Sequence, residues 1–239
     1  MRLNKYLSGH GVCSRREADR LIAEGRVSVN GAAASIGQTV TDEDVVEVSG
    51  RRVQEEVREI FLAVNKPRGV VVTTDRRFGD RVLEDLVSGT GRVFAVGRLD
   101  KESEGLILMT NNGDVSNLIQ KARSFHEKEY EVSVNRALTP EFLKSMRSGV
   151  RLEELGRTTR PCSVRQTGPA SFNIILTEGM NRQIRRMCMT LGYEVTSLKR
   201  IRVMNILLGD LQAGSFRRLT EDEIRELKAQ LRLCSGRMR

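Results

Sequence analysis

The chain has 239 residues, 39% of them apolar, which is length enough for two domains and apolar content enough for a packed core. Its 40 Lys and Arg against 31 Asp and Glu leave a net charge of +9, which points to a polyanionic partner, RNA or DNA first. Cys13, Cys162, Cys188 and Cys234 form no C-x-x-C pair and fit a reducing cytoplasm, and His10 and His126, the only histidines, remove most zinc hydrolases and leave carboxylates, Tyr and Arg as candidate catalytic groups.

Residues 1–55 read as a small unit of two helices and a hairpin. The start, Met1 to Leu7, lacks the apolar core of a signal peptide, and no stretch of the chain nears the ~18 apolar residues of a membrane span. Leu3, Tyr6 and Leu7 recur at helical spacing. Ser14-Arg15-Arg16-Glu17 is a capping box opening a second helix, with Ala18, Leu21 and Ile22 on one face and Gly25 past its end. Val27-Ser28-Val29 alternates as a strand does, Asn30-Gly31 is a two-residue hairpin signal, and Val45 to Val48 closes the unit. Positive charge gathers on the helical pair. Lys5, Arg15, Arg16, Arg20 and Arg26 are the phosphate-binding candidates, with Arg16 and Arg20 sharing a face at a spacing of four. A solvated helix surface would carry the same charges.

Residues 56–59 read as a charged linker and 60–239 as a second domain. Strands are expected at 60–64 and 70–73, flanking the turn Asn65 to Gly69, and at 93–97, 105–109, 129–134, 161–166 and 171–177. Helices are expected at 80–88, 113–122, 139–148 and 180–191. Thr139-Pro140 is an N-cap followed by Pro in the first turn. Thr220-Glu221-Asp222-Glu223 is a second capping box, leading Ile224, Leu227 and Leu231 at helical spacing. The helices are too sparse for a βαβ array, so the fold class is α+β, with a largely antiparallel mixed sheet flanked by helices.

The stretch Val96 to Asn111 brackets a polar loop between two apolar strands, and the loop carries Asp100. A carboxylate at the end of a strand is held by the sheet yet open to a cleft, which suits a nucleophile or a base. Asp is also common there for turn reasons. Tyr130 falls on the apolar face of a strand with Val132 and Val134, as a core tyrosine would. Arg182, Arg185 and Arg186 stand at i, i+3 and i+4 of a helix, a stripe that would bind phosphate with no catalytic role. Asp75, Asp80 and Asp85 raise a metal-dependent nuclease, but their mixed placement on loop and helix makes a shared metal site a poor fit. The sequence has no GxGxxG, P-loop or metal-ligand cluster.

Two resemblances sharpen this reading. Arg2 to Leu7, Cys13 to Ile22 and Gly25 to Gly31 together resemble the S4 RNA-binding domain. Gly97-Arg98-Leu99-Asp100, then Ser103-x-Gly105-Leu106 and Thr110-Asn111-Asn112-Gly113, resemble the central motif of the RsuA-like pseudouridine synthases. That resemblance implies an enzyme that isomerises uridine to pseudouridine without cofactor or metal, which agrees with the absence of those motifs, and it places the catalytic aspartate on Asp100. Lys128-Glu129-Tyr130 resembles the segment that supplies an active-site tyrosine, Tyr130. Glu178 to Met187 resembles the third motif, in which a basic residue at the position of Arg185 pairs with the aspartate and Ile184 lines the pocket. Arg98 and Leu99 are expected in the substrate pocket, and Asn181, Arg182 and Arg186 at the RNA. The segments 126–130, 180–187 and 202–205 are most similar to the RluF branch. This implies large-subunit ribosomal RNA as substrate, with a tRNA anticodon loop as a second, and a cytoplasmic monomer. The alternative is a non-catalytic RNA-binding protein of the S4 type.

Overall fold

In the computed structural model, residues 1–53, 58–73, 81–121 and 125–236 are described, with side chains to Leu231. The chain divides into two compact units, one of Met1–Ile60 with Asn111–Gly113, the other of Phe61–Thr110 with Asp114–Arg239.

The first unit holds α1 (Leu3–Gly9), α2 (Arg15–Ala23) and strands β1 (Val27–Val29), β2 (Ala32–Ala33), β3 (Val46–Val48) and β4 (Arg51–Arg52), which pair in the order β2-β1-β3-β4. The Ser14 hydroxyl accepts from the Glu17 amide at 3.1 Å, satisfying an orphan donor of α2. Asn30 and Gly31 both take positive φ, 52° and 80°, as the two central residues of a primed hairpin turn must. Leu3, Leu7, Ala18, Ile22, Val27 and Val46 form its core.

The second unit is built on a nine-stranded sheet. Its strands are β5 (Phe61–Lys66), β6 (Phe94–Ala95), β7 (Glu104–Thr110), β8 (Lys128–Val134), β11 (Ser163–Gly168), β12 (Ser171–Leu176), β13 (Val195–Val203), β14 (Ile206–Leu207) and β15 (Phe216–Arg218), while β9 (Arg151–Leu152) and β10 (Arg157–Thr158) pair separately. The main path runs β11-β12-β8-β13-β7-β5-β15. Each of its pairs is antiparallel except β13 with β7. The helices are α3 (Gly113–Gln120), α4 (Pro140–Ser148), α5 (Gln183–Thr190) and α6 (Glu221–Gly236). Thr139 caps α4 by accepting from the Phe142 amide at 3.1 Å. Thr220 and Glu223 cap α6 reciprocally, at 2.8 and 3.2 Å, and Leu227 and Leu231 bury its apolar stripe. Two apolar cores serve this unit, one under β8, β12, α4 and α5, the other under β5, β7, α3 and α6.

The α+β class and the mainly antiparallel sheet are as expected; several elements differ. The helix expected at 80–88 is a short 3-10 turn, Leu83–Val87. Residues 70–73 form no strand beyond a single bridge from Val71 to Val82. The largest omission is β13, nine residues at the centre of the sheet, which the residue pattern does not announce. Its ladder with β8 shifts register between Val195 and Ser197 and again between Arg200 and Arg202. Each bulge resets the inside-outside alternation, so the period of two by which a strand is recognised never accumulates.

Candidate active site

Asp100 lies in the loop between β6 and β7, and backbone hydrogen bonds hold that loop from below. The Ser103 amide donates to the Asp100 carbonyl at 3.0 Å, and the Gly69 amide donates to the Lys101 carbonyl at 2.8 Å. Lys66, at the end of β5, is fully buried and contributes three more contacts. Its ammonium donates to the carbonyls of Pro67 at 2.9 Å, Val70 at 2.7 Å and Lys101 at 3.4 Å. Burial pushes this ammonium down to about 8, while Glu102, Glu104 and Asp100 pull the other way. Lys66 is therefore a cationic clamp under the loop, a role that its place beside a turn does not reveal in the sequence.

Gly105 has a comparable structural reason. β13 runs parallel to β7 with Arg200 opposite Gly105. The glycine has φ +100°, and a Cβ there would stand 2.3 Å from the Arg200 carbonyl oxygen. Only glycine lets the two backbones approach this closely.

The start of α5 brings cations to the loop from the other side. Arg182, in the left-handed region at φ 52°, places Nη1 3.8 Å from Asp100 Oδ2. Arg185 behaves differently from the expectation. It makes no ion pair with Asp100 among the described residues. Its Nη1 donates to the Val195 carbonyl at 3.1 Å, and its Nη2 approaches the Glu102 carbonyl at 3.3 Å and the Ser103 hydroxyl at 3.5 Å. Those carbonyls hold the guanidinium against the backbone just beyond Asp100, leaving the carboxylate to Arg182. Burial lowers the pKa of Arg185, with Arg182 adding and Asp100 opposing.

The facing wall is the sheet. Tyr130 on β8 stands opposite Arg200 on β13, and Lys128 is two residues before Tyr130 on the same strand. These three side chains, with Arg98, Leu99, Asp100, Asn181, Arg182 and Ile184, line a cavity of about 490 Å³. That volume suits a nucleoside rather than a duplex. Ile184 and Leu99 are buried and Arg98 is exposed at the rim. Burial, with Arg200 adding, pushes the Lys128 ammonium down to about 8. Arg186 is not among the lining residues; it pairs with Glu154 and donates to the Asn181 carbonyl at 3.0 Å.

Within the first unit, Arg15 and Arg16 are exposed and have no ion pair among the described residues, and Lys5 is half-buried on α1. Arg20 is engaged by Glu17 and, at 3.8 Å, by Glu24. Arg26 donates to the Ser49 hydroxyl at 3.1 Å and lies 3.7 Å from Glu24. Of the nuclease candidates, Asp75 and Asp80 lie outside the described residues, while the Asp85 carboxylate accepts from the Val82 amide at 3.2 Å. Among the described residues no group of three metal-ligating side chains occurs, and no helix is long and apolar enough to cross a membrane.

Comparison with known proteins agrees with this geometry. The family model for RNA pseudouridylate synthase matches residues 60–190, and that for the S4 domain matches residues 1–46. The dual-specificity RNA pseudouridine synthase RluF of Salmonella typhi is 47% identical over 228 residues, spanning 95% of this chain and 78% of that protein. The ribosomal large subunit pseudouridine synthase B of Bacillus subtilis is 35% identical over 236 residues, spanning 95% and 96%. A crystal structure of a pseudouridylate synthase superposes with a TM-score of 0.71 at 25% identity, covering 95% of this chain and 99% of that one. The chain therefore belongs to the RsuA-like RNA pseudouridine synthases, alongside RluF.

Proposed function

We propose that the chain makes pseudouridine in large-subunit ribosomal RNA, with a tRNA anticodon loop as a second substrate, and that Asp100 is the catalytic group. The observation that carries the reading is one cavity lined by Asp100, Tyr130, Arg182 and Ile184 together. The ribosomal substrate is supported by the Bacillus subtilis relative, whose name states the large ribosomal subunit. The second substrate follows the resemblance to RluF, whose name states dual specificity.

The reaction breaks the N1–C1′ bond of uridine, turns the uracil, and rejoins it through C5. Product and substrate are isomers, so no oxidant, hydride carrier or ATP enters the balance. The target nucleotide is first flipped out of its stack, at a cost of a few kcal/mol. Tyr130 stacks on the extruded uracil, an interaction that contributes about 1–3 kcal/mol per base. Arg98, exposed at the rim, holds the vacated position or the flanking phosphate. Asp100 then acts on the sugar, either by attacking C1′ or by removing the 2′ proton, and Arg182 orients its carboxylate. Arg185 fixes the backbone of the loop that presents Asp100. Tyr130, through water, accepts the C5 proton at the end. The first unit grips the RNA through Arg15 and Arg16, which raises the local concentration of target at the second unit. The protein works as a monomer in the cytoplasm.

The test is Asp100→Asn on ribosomal RNA. Binding persists and pseudouridine is lost; conversion by the variant would end the assignment. A pseudouridine map of a strain lacking the gene identifies the modified position.

A further inference from the structure

Lys128 and Arg200 have no part in the steps above, yet they form the wall on either side of Tyr130. Lys128 precedes Tyr130 by two residues on β8, and Arg200 faces Tyr130 across the ladder. All three line the cavity. Neither cation has an acidic partner among the described residues. The Lys128 ammonium meets one protein acceptor, the His126 carbonyl at 3.3 Å. Arg200 is only 4% exposed; its Nε donates to the Leu106 carbonyl at 2.6 Å, and its Nη2 is buried without a partner. Two neighbouring cations, Arg200 buried and Lys128 half-buried, with no carboxylate between them are unfavourable unless something else supplies electron density. Burial holds Lys128 near 8, which is the mark of that cost.

A uracil stacked on Tyr130 supplies that density. It presents two carbonyl oxygens, O2 and O4. When the N1–C1′ bond breaks, its electron pair leaves with the base, and the negative charge spreads over N1, O2 and O4. We propose that Lys128 and Arg200 form a cationic receptor for a uracil carbonyl oxygen and stabilise the uracil anion released from the sugar. The proposal rests on the reading that Asp100 acts on the sugar in this cavity. The balance closes on either route. C1′ becomes an ester of Asp100, or a glycal after Asp100 takes the 2′ proton. The anion then bonds to C1′ through C5, Asp100 is released or returns its proton, and the C5 proton is lost as N1 gains one. Donors fixed where charge develops act most strongly in a cavity closed to water. Contact at O4 would also disfavour cytosine, whose 4-amino group points hydrogens at a cation, whereas contact at O2, which both bases carry, would not.

The test uses the full chain and an RNA oligonucleotide carrying the mapped uridine, with O2 or O4 replaced by sulfur in separate substrates. Lys128→Met should slow single-turnover conversion of the natural substrate by about 10²-fold with RNA affinity nearly unchanged. Lys128→Arg should restore much of the rate. The variant and the sulfur substitution should be non-additive at one of the two carbonyls, because each removes the same contact. Multiplicative effects at both carbonyls, or a wild-type rate in Lys128→Met, would overturn the proposal. Should Lys128→Met fail to fold, Lys128→Gln carries the same comparison. Asp100→Asn on the same RNA separates the two readings. If that variant is active, the Asp100 reading falls; if it is dead while the Lys128 effects multiply, only the receptor falls.

Discussion

Two arginines three residues apart on one helix end do different work. Arg182 is half-exposed and faces the Asp100 carboxylate, whereas Arg185 is threaded between the Val195 and Glu102 carbonyls. Arg182→Ala should therefore leave stability within about 0.5 kcal/mol, since an exposed pair at this distance contributes little, while lowering kcat. Arg185→Ala strips a donor from the part-buried Val195 carbonyl and another from the exposed Glu102 carbonyl, and should cost about 1–3 kcal/mol in chemical denaturation. Equal losses of stability in the two variants would contradict this division. Lys128 gives a pH signature. Its folded value near 8 lies below the ordinary 10.5, so the folded state releases the proton first and stability from this group rises between those values. Below pH 8 the half-buried charge is present and costs about 1–3 kcal/mol. Lys128→Met should be the more stable protein at neutral pH, with the advantage fading by about pH 10.5. A pH-independent difference in midpoint would show that the ammonium is not desolvated.

At the scale of elements, caps and turns were legible and the central strand was not. Ser14, Asn30-Gly31, Thr139 and Thr220 each act on backbone groups within three residues, and each behaves as its chemistry dictates. β13 is written in a sequence with Lys199, Arg200 and Arg202 inside it, and its two bulges break the alternation. Its location becomes intelligible only from its neighbours, β7 and β8. Gly105 is the fixed point of that neighbourhood. Gly105→Ala drives a Cβ into the Arg200 backbone and asks for φ +100° from an L-residue. A loss of more than about 4 kcal/mol, or failure to accumulate as soluble protein, is expected. Thermal unfolding within two or three degrees of the parent would mean that β7 and β13 are not so closely paired.

For the whole molecule, the net charge is +9, and part of the first unit's share is already engaged by carboxylates. Arg20 and Arg26 are offset by Glu17 and Glu24, which leaves Arg15 and Arg16 as the exposed phosphate-binding candidates of the first unit. Replacing both with Ala should weaken RNA binding and reduce the slope of log affinity against log salt by about 1.4–1.8, one increment per lost phosphate contact. Single-turnover conversion at saturating enzyme should hardly change. An unaltered salt slope would show that this helix face meets no phosphate.

What the sequence determined alone was local or strongly patterned. It held two helices, the second with its cap, and a hairpin, an α+β second unit, and an Asp100 loop whose motif, with Tyr130 and Ile184, already implied the chemistry. The tertiary structure decided which charges meet. It set Arg182 rather than Arg185 beside Asp100, buried Lys66 beneath the loop, and placed Lys128 and Arg200 around Tyr130. Caps and periodicity are set by groups a few residues apart, and a sequence displays them directly. The environment of a charge depends on strands brought together from distant parts of the chain, and desolvation exists only once they have packed.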